Sequence, residues 1–332
     1  MEKDITQVGL IGNTKIPKDL IFINVVPHDL YFQWQSEVLI TNFRKFNISK
    51  NMHICIWYPK KSKELDKWKV IQDKYPEVKM FFYEDEGVNL NLYIPQLRPH
   101  TLKKHFKQYP YLSKSVIFYH DSDIIFNYLP DFDKLMDSNI CWQSDCSGYL
   151  DFNYLEKKEK EGNIPDNIAI KKLADIGGVT VDIIKSYTGK TGGAQTILRN
   201  INAQFWEDVE RMCIEIRKSF KFEMENSINS QYFSSENAGF QSWCADMWAL
   251  NFAQWKRNQV TNITPELDFS WATDSYETFL KKPIFHNAGA TGQDGIFYKG
   301  AFMSKSPINA NIPLPTEDKA SRQYVLAIKE VK

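Results

Sequence analysis

The sequence predicts an α/β protein in which a mostly parallel central sheet is flanked by helices. Short apolar runs rich in β-branched and aromatic residues alternate with helix-like segments through the first half of the chain, which is the pattern of parallel strands joined by helices. The 332 residues are 43% hydrophobic and 14% aromatic, so a single domain with a large core is expected. Two aspartates directly follow one of the apolar runs, at the carboxyl end of a strand, where open α/β sheets bind their ligands.

Four predicted strands follow one another in the first half of the chain. They are LIFINVV (20–26), MHICIWYP (52–59), VKMFFYED (78–85) and SVIFYHDSDIIF (115–126). Pro27 and Pro59 end the first two. A helix-like segment through Trp34 and Phe46 follows the first strand, and the charged KKSKELDKWKVIQDKYP follows the second. Strands that are covered by helices on both faces are apolar at successive positions, as these runs are.

The charge balance excludes a global attraction to polyanions. Lys plus Arg and Asp plus Glu each total 41, so no net positive field draws the chain to nucleic acid or anionic lipid. No apolar run reaches the roughly 18 residues that span a bilayer, and the N-terminal MEKDITQVGLIGNTK does not have the layout of a signal peptide. We therefore expect no membrane association and a cytoplasmic location, and we expect no obligate protein partner. The composition, rich in Lys, Asn, Ile and Phe, is compatible with a viral gene, in which case the location would be the host cytoplasm.

Asp121 and Asp123 stand one residue apart at the end of the fourth strand. Two carboxylates this close repel each other, and burial beside a core strand is costly without compensation. A divalent cation is the simplest compensation, and oxygen ligands suit Mg²⁺ or Mn²⁺, which also bridge the phosphates of a nucleotide. The alternative is that Asp121 caps the following turn and Asp123 is solvated. The position after a core strand favours the metal.

A second candidate group lies in KPIFHNAGATGQDGIFYKG, residues 282–300. His286 follows a short apolar strand and precedes a glycine-rich loop. Its imidazole either adds a nitrogen ligand to the two carboxylates or belongs to an ordinary core or surface histidine. In the first case the glycines at positions 289, 292 and 295 would let the backbone approach a phosphate, and Lys299 would neutralise it.

A third candidate is Asp246, in the segment SWCADMWALNFAQW. Tryptophan, methionine, leucine and phenylalanine make this predicted helix apolar on more than one face, so the helix is expected to be buried. A lone carboxylate in such a buried helix costs free energy unless another group compensates its charge. It is an N-terminal cap, the partner of a buried arginine, or a group that faces a substrate.

Six segments carry these residues in a fixed order along the chain. They are YFQWQSEVLITNFRK, YIPQLRPHTLKKHF, FYHDSDIIF, TGGAQTILRN, SWCADMW and PIFHNAG. Together they resemble the nucleotide-sugar glycosyltransferases of the GT-A fold, and more narrowly the hydroxyproline O-arabinosyltransferase and peptidyl-serine α-galactosyltransferase group. The resemblance implies a Rossmann-like GT-A domain over residues 1–304, with a nucleotide-binding half at 18–130 and an acceptor and catalytic half at 131–304. Residues 305–332 would form a C-terminal tail or packing arm.

The resemblance assigns a role to each group of candidate residues. The metal ligands would be Asp121, Asp123 and His286. Contacts to the nucleotide and its phosphates are expected from Asn24, Val25, Val26, Pro27, Arg98, Asp121, Ser122 and Lys299, and contacts to the donor sugar from Gly192 and Gly193. The candidate catalytic residues are Asp246 and Gln195. Relatives tend to have Glu where this chain has Asp246, and they carry a membrane anchor that this sequence does not show.

The implied function is metal-dependent transfer of a sugar from a UDP-sugar to an acceptor hydroxyl, with Mn²⁺ or Mg²⁺ as the cofactor. The sugar would be a pentose such as arabinose or a hexose such as galactose or glucose. A cytoplasmic enzyme of this kind would modify a peptide, a glycan or a hydroxymethylated base in viral DNA. The resemblance implies retention of the anomeric configuration; if the reaction inverts, Asp246 would be the general base.

Two other functions stay open at this point. A sugar-nucleotide pyrophosphorylase would keep the fold, but such enzymes carry a Gly-rich loop with Arg and Lys after the first strand, where this chain has VVPHDLYFQW. A binding module without catalysis would hold glycans or single-stranded nucleic acid by stacking in an aromatic-rich crevice. Hydrolysis of a UDP-sugar that requires a divalent metal would distinguish the enzyme from a binder.

Overall fold

The computed structural model describes residues 17–60, 62, 65–85, 88–162, 164, 167–233, 235, 238–293 and 295–332. The segment MEKDITQVGLIGNTK, for which no signal peptide is expected from the sequence, lies outside the described residues. None of the described helices is long and apolar enough to cross a membrane.

The strands of the described chain form two sheets. They are β1 (Leu20–Pro27), β2 (Met52–Pro59), β3 (Lys79–Asp85), β4 (Val116–Tyr119), β5 (Ile124–Phe126), β6 (Cys141–Asp145), β7 (Gly192–Leu198), β8 (Thr261–Ile263), β9 (Phe269–Trp271) and β10 (Ile284–His286). The larger sheet has seven strands in the order β3-β2-β1-β4-β7-β6-β8, and the smaller has three in the order β5-β10-β9.

The larger sheet is mostly parallel. Strands β3, β2, β1 and β4 run parallel to one another. Strand β7 is antiparallel to both of its neighbours, β4 and β6, and β8 is parallel to β6. Among the described strands of this sheet, β7 is therefore the one that runs against the others. The predicted fold class, an α/β protein with a mostly parallel central sheet flanked by helices, is confirmed.

The helices lie between the strands in the sequence. They are α1 (Leu30–Lys45), α2 (Leu65–Lys74), α3 (Leu97–Gln108), α4 (Phe132–Met136), α5 (Ser147–Leu150), α6 (Phe152–Gly162), α7 (Ile168–Gly177), α8 (Val181–Ser186), α9 (Ala203–Phe220), α10 (Ile228–Tyr232), α11 (Ala245–Trp255), α12 (Tyr276–Leu280) and α13 (Ser321–Glu330). The helical segments predicted from the sequence correspond to α1, α2 and α11.

The alternation of side chains along β1 divides the core into two layers. Phe22 and Val26 belong to one hydrophobic cluster, which also contains residues of α1 and α2. Ile23 and Val25 belong to the other, which contains residues of α3, α9 and α11. A strand that is apolar on both faces is stable only if both faces are covered, so helices pack on each side of the sheet.

A third hydrophobic cluster joins the small sheet to α1 and α13. Phe285 of β10 packs with Trp34 of α1 and with Tyr324 and Val325 of α13. Residues 305–332, which the sequence analysis sets apart as a tail or packing arm, contribute α13 to this cluster. The cluster holds β10, and with it His286, against α1.

Two segments differ from the simple strand pattern. The run SVIFYHDSDIIF divides into β4 and β5, which belong to different sheets, because its polar centre HDSD forms a turn between them. The glycine-rich TGGAQT forms the start of β7, to which the sequence analysis assigned no strand. Adjacent glycines have a low strand propensity, and here the pairing with β4 and β6 overrides it.

Candidate functional site

The small sheet brings the two aspartates and the histidine together. Asp121 and Asp123 lie in the turn from β4 to β5, and β5 pairs antiparallel with β10 so that Ile124 is opposite His286. The backbone N–H of Asn287 donates to the carbonyl oxygen of Asp123 at 2.9 Å. This register places the imidazole beside the carboxylates, although the two segments are far apart in the sequence.

The three side chains fit a divalent metal. One ligand atom from each lies within 4.8 Å of the other two, and His286 Nε2 lies 3.4 Å from both Asp121 Oδ2 and Asp123 Oδ1. The imidazole stacks on the ring of Trp271, with centroids 5.9 Å apart and an interplanar angle of 15°, which fixes its orientation. Two carboxylates and one imidazole are ligands for which Mn²⁺ and Mg²⁺ are suitable ions. The geometry supports the metal site that the sequence predicts.

Two cationic side chains pair with the aspartates. Lys299 Nζ donates to Asp123 Oδ2, and Arg98 Nη1 donates to Asp121 Oδ1. Burial raises the pKa of the Asp123 carboxyl. Lys299 and His286 lower this pKa by more than burial raises it, so the pKa lies below the ordinary value. Burial lowers the pKa of Lys299, and Asp123 more than offsets this, so the lysine stays charged. These pairs supply the compensating charge that buried carboxylates need.

Asp246 lies in the first turn of α11 and is only 8% exposed. Arg98 Nη2 pairs with its Oδ2 at 2.8 Å, and the hydroxyl oxygen of Tyr93 lies 2.7 Å from its Oδ1. Burial raises the pKa of Asp246, and Arg98 opposes the rise without cancelling it. Of the three roles considered for this residue, the structure shows the arginine partner. Asp246 also lines a cleft, and its contact with a substrate stays a prediction. The N-cap position belongs to Cys244.

The aspartates open onto a cleft of about 900 Å³. The predicted site residues that line it are Val25, Pro27, Arg98, Asp121, Ser122, Asp123, Asp246, His286 and Lys299. A smaller pocket of about 80 Å³ shares Arg98, Asp121, Asp246 and His286 with the cleft and extends to Gly193. The structure therefore brings most of the predicted nucleotide, metal and catalytic residues to one place.

Two predicted residues of β1 face away from the cleft. Asn24 and Val26 alternate with Val25 and Pro27, so they point to the opposite side of the strand. Val26 belongs to the hydrophobic cluster beneath α1. The side chain of Asn24 is fully buried, and its amide has no hydrogen-bond partner among the described residues. Their predicted contact with the nucleotide would have to come from backbone atoms.

Gln195, the second predicted catalytic residue, lies beneath the smaller pocket rather than on its lining. Its Oε1 accepts a hydrogen bond from Ser144 Oγ at 2.7 Å, and its side chain is fully buried. The cause is local: Ala194 has a φ of 53°, which interrupts the alternation along β7, so that Gly193 and Ala194 both line the pocket. A catalytic role for Gln195 stays a prediction.

Gly192 lies at an irregularity in the pairing of β6 with β7, where the register shifts between Gln143 and Ser144. A Cβ atom at this position would lie 2.2 Å from the carbonyl oxygen of Ser144 and 2.4 Å from the Cβ of Gln143. Such contacts are far inside the van der Waals separation, and backbone atoms cannot move away as a flexible side chain would. Gly192 therefore shapes the floor of the site without lining it.

The Gly192→Ala variant is expected to lose about 3 kcal/mol of unfolding free energy, because the added methyl overlaps the backbone of β6. Gly148→Ala is the matched control, since a Cβ there meets nothing within 4 Å, and its stability should change by less than about 0.5 kcal/mol. Urea unfolding followed by tryptophan fluorescence measures both. Equal stability of the two variants would contradict the close approach of β6 and β7.

Tyr93 contacts Asp246, a contact that the sequence does not indicate. Its hydroxyl lies within hydrogen-bond distance of the Asp246 carboxylate and of the carbonyl oxygen of Trp243. The residue opens the segment YIPQLRPHTLKKHF, which is a weak signal. No spacing rule could have paired it with Asp246, because the two are 153 positions apart.

The chain was compared with protein families, curated proteins and solved structures. No family model matches it, and no curated protein matches it. Among solved structures it is similar to the bifunctional glycosyltransferase WbbM in its apo form. The identity is 12% and the TM-score is 0.45, and the match covers 97% of this chain and 51% of WbbM. The chain is also similar to mouse xyloside xylosyltransferase 1 in its apo form, at 9% identity and a TM-score of 0.38, covering 81% of this chain and 97% of that one.

A further solved structure to which the chain is similar is the galactosyltransferase LgtC in complex with donor and acceptor sugar analogues. The identity is 12% and the TM-score is 0.35, and the match covers 82% of this chain and 87% of that one. The chain thus spans about half the length of WbbM and most of the length of the other two. All three similar structures are named as glycosyltransferases.

Proposed function

We propose that the protein is a metal-dependent glycosyltransferase of the GT-A type, which transfers a sugar from a UDP-sugar to an acceptor hydroxyl. The observation that carries the proposal is the meeting of Asp121, Asp123 and His286 at a cleft that also contains Asp246. A group that fits a divalent metal is suited to bind a diphosphate, and a separate carboxylate beside it can act on the sugar. The GT-A-like sequence segments carry these same residues.

The cleft offers a separate region for each part of the donor. Val25 and Pro27 lie at the carboxyl end of β1 and would contact the base, since ligands of open α/β sheets bind beyond strand carboxyl ends. Arg98 and Lys299 would contact the diphosphate. The smaller pocket, which extends to Gly193, would receive the sugar. The volume of about 900 Å³ is within the range of ligand pockets.

Asp121, Asp123 and His286 would hold Mn²⁺ or Mg²⁺, which when bound stabilises the negative charge that develops on the leaving diphosphate. Lys299 and Arg98 contribute fixed positive charge at the same place, because both stay protonated beside the aspartates. The low pKa of Asp123 keeps its carboxylate ionised at neutral pH. These residues favour departure of UDP over its return to the sugar.

Asp246 is the candidate for contact with the reacting sugar. Arg98 and Tyr93 each hold one of its oxygens, so the carboxylate has a fixed orientation. In a retaining reaction its negative charge would stabilise the oxocarbenium-like sugar. In an inverting reaction it would accept the proton of the acceptor hydroxyl, a role that its raised pKa favours. The anomeric configuration of the product distinguishes the two.

The proposal is tested by incubating the protein with UDP-arabinose, UDP-galactose and UDP-glucose and measuring release of UDP. We expect release from at least one donor with Mn²⁺ and none in the presence of EDTA. Formation of UTP from the UDP-sugar and pyrophosphate would identify a pyrophosphorylase instead. Binding of UDP-sugars without release of UDP from any of them, with or without an acceptor, would identify a binding module.

A further inference from the structure

Trp243 is an exposed aromatic side chain on the lining of the cleft. Its side chain is 57% exposed, and it lines the cleft together with Ile94, which is 51% exposed. Tryptophan buries more apolar surface than any other residue when a ligand covers it, and an exposed one in a concave site is a common anchor for a ligand. The proposed donor contacts, at β1 and the aspartates, do not use it.

The position of Trp243 is tied to that of Asp246. The hydroxyl oxygen of Tyr93 lies 2.6 Å from the carbonyl oxygen of Trp243 and 2.7 Å from Asp246 Oδ1. The backbone N–H of Asp246 donates to the same hydroxyl at 3.1 Å. The rings of Tyr93 and Trp243 also meet edge to face, with centroids 5.9 Å apart. The indole and the Asp246 carboxylate therefore contact the same tyrosine and line the same cleft, so a molecule that covers the indole would share this cleft with the candidate for contact with the transferred sugar.

The charges of the cleft indicate which class of acceptor fits. Among the described residues of its lining, the lysine and arginine side chains are Lys299 and Arg98, and both are assigned to the diphosphate of the donor in the proposed function. The lining also carries the carboxylates of Asp121, Asp123 and Asp246. A nucleic acid needs several unpaired cations along its path, one for each phosphate that it buries. This lining offers a polyanionic acceptor no such path.

On the basis of the proposed function, we infer that the acceptor is a neutral carbohydrate whose apolar C–H face stacks on Trp243. A sugar ring has one face of C–H groups and an edge of hydroxyls, so stacking on the indole directs a hydroxyl towards Asp246. In the reaction the bond between the anomeric carbon of the donor and its phosphate oxygen breaks, and UDP leaves with the electron pair. The acceptor oxygen forms the new bond to that carbon, and its proton passes to UDP or to Asp246.

The acceptor class is tested with three probes at equal concentration, each with the donor that releases UDP. The probes are a set of neutral methyl glycosides and disaccharides, a serine- and hydroxyproline-containing peptide, and single- and double-stranded hydroxymethylated DNA. Products are identified by mass spectrometry. We expect a neutral glycoside to be glycosylated. Glycosylation of the peptide or the DNA but of no glycoside would overturn the inference, while the release of UDP would leave the proposed function standing.

The role of Trp243 is tested by Trp243→Ala and Trp243→Phe. The alanine variant should raise the KM for the glycoside about ten-fold or more, while the phenylalanine variant, which keeps a stacking face, should recover most of that loss. Tyr111→Ala is the matched control, because Tyr111 is 51% exposed and lies outside the cleft, and it should leave this KM within about two-fold. An unchanged KM in Trp243→Ala, or a KM raised equally by Trp243→Phe, would overturn the stacking contact.

Discussion

The Asp123→Ala variant is expected to lose at least about 1,000-fold in kcat for UDP release, because it removes one of the three groups that fit the metal. Mn²⁺ binding, measured by electron paramagnetic resonance of the free ion, should weaken in parallel. Asp123 also contributes to the structure through its backbone. Its backbone carbonyl also accepts the hydrogen bond that keeps β5 and β10 in register, and this contact does not depend on the side chain.

A loss of activity in Asp123→Ala needs a control for folding, because Asp123 also pairs with Lys299. Removal of one partner of a buried ion pair leaves the other charge uncompensated, at a cost of about 3 to 5 kcal/mol. The double variant Asp123→Ala/Lys299→Met removes both charges and should recover much of the lost stability in a urea titration. Activity should not return with it. Wild-type kcat and Mn²⁺ affinity in a folded Asp123→Ala protein would show that the metal is not held at this place.

The central sheet was predictable because its signal is local. The side chains from Phe22 to Val26 of β1 are buried on both faces of the strand, so apolar residues are consecutive, as in Phe22 and Ile23, and the run is visible without knowledge of the fold. The position of Asp121 and Asp123 after β4 follows from the same pattern. A local sequence pattern does not show which strands pair with each other. The pairing of β5 with β10, which brings His286 to the aspartates, was predictable only from the resemblance to a family.

The side-chain directions that the sequence does not indicate at the candidate site also have physical causes. Gln195 belongs to a segment that resembles a sugar-binding one, but the left-handed conformation of Ala194 turns its side chain into the sheet. Asn24 lies one position from residues that do line the cleft, and the alternation of a strand directs it to the other face. A side-chain direction is decided by backbone dihedrals and register, which residue identity does not specify.

The link between Tyr93, Arg98 and Asp246 is another feature that a sequence does not reveal. Tyr93 precedes α3 by four residues and Arg98 lies in its first turn, and the side chains of both contact Asp246 of α11. The two contacts fix the orientation of a carboxylate that lines the cleft. If the proposed function holds, we expect the reaction to use the charge of Asp246 and not only its shape.

The Asp246→Asn variant separates charge from shape, because asparagine keeps the size of the side chain. We expect kcat for glycosyl transfer to fall about 100-fold to 10,000-fold, whether Asp246 stabilises the sugar or accepts the proton. Tyr93→Phe is the matched control: it removes the hydroxyl near Asp246 Oδ1 but leaves the charge, so its loss should be about ten-fold. Mn²⁺ affinity should change little in either variant, since neither residue belongs to the candidate metal group. A kcat for Asp246→Asn within about three-fold of the wild type, in a protein of unchanged stability, would reduce Asp246 to a structural partner of Arg98.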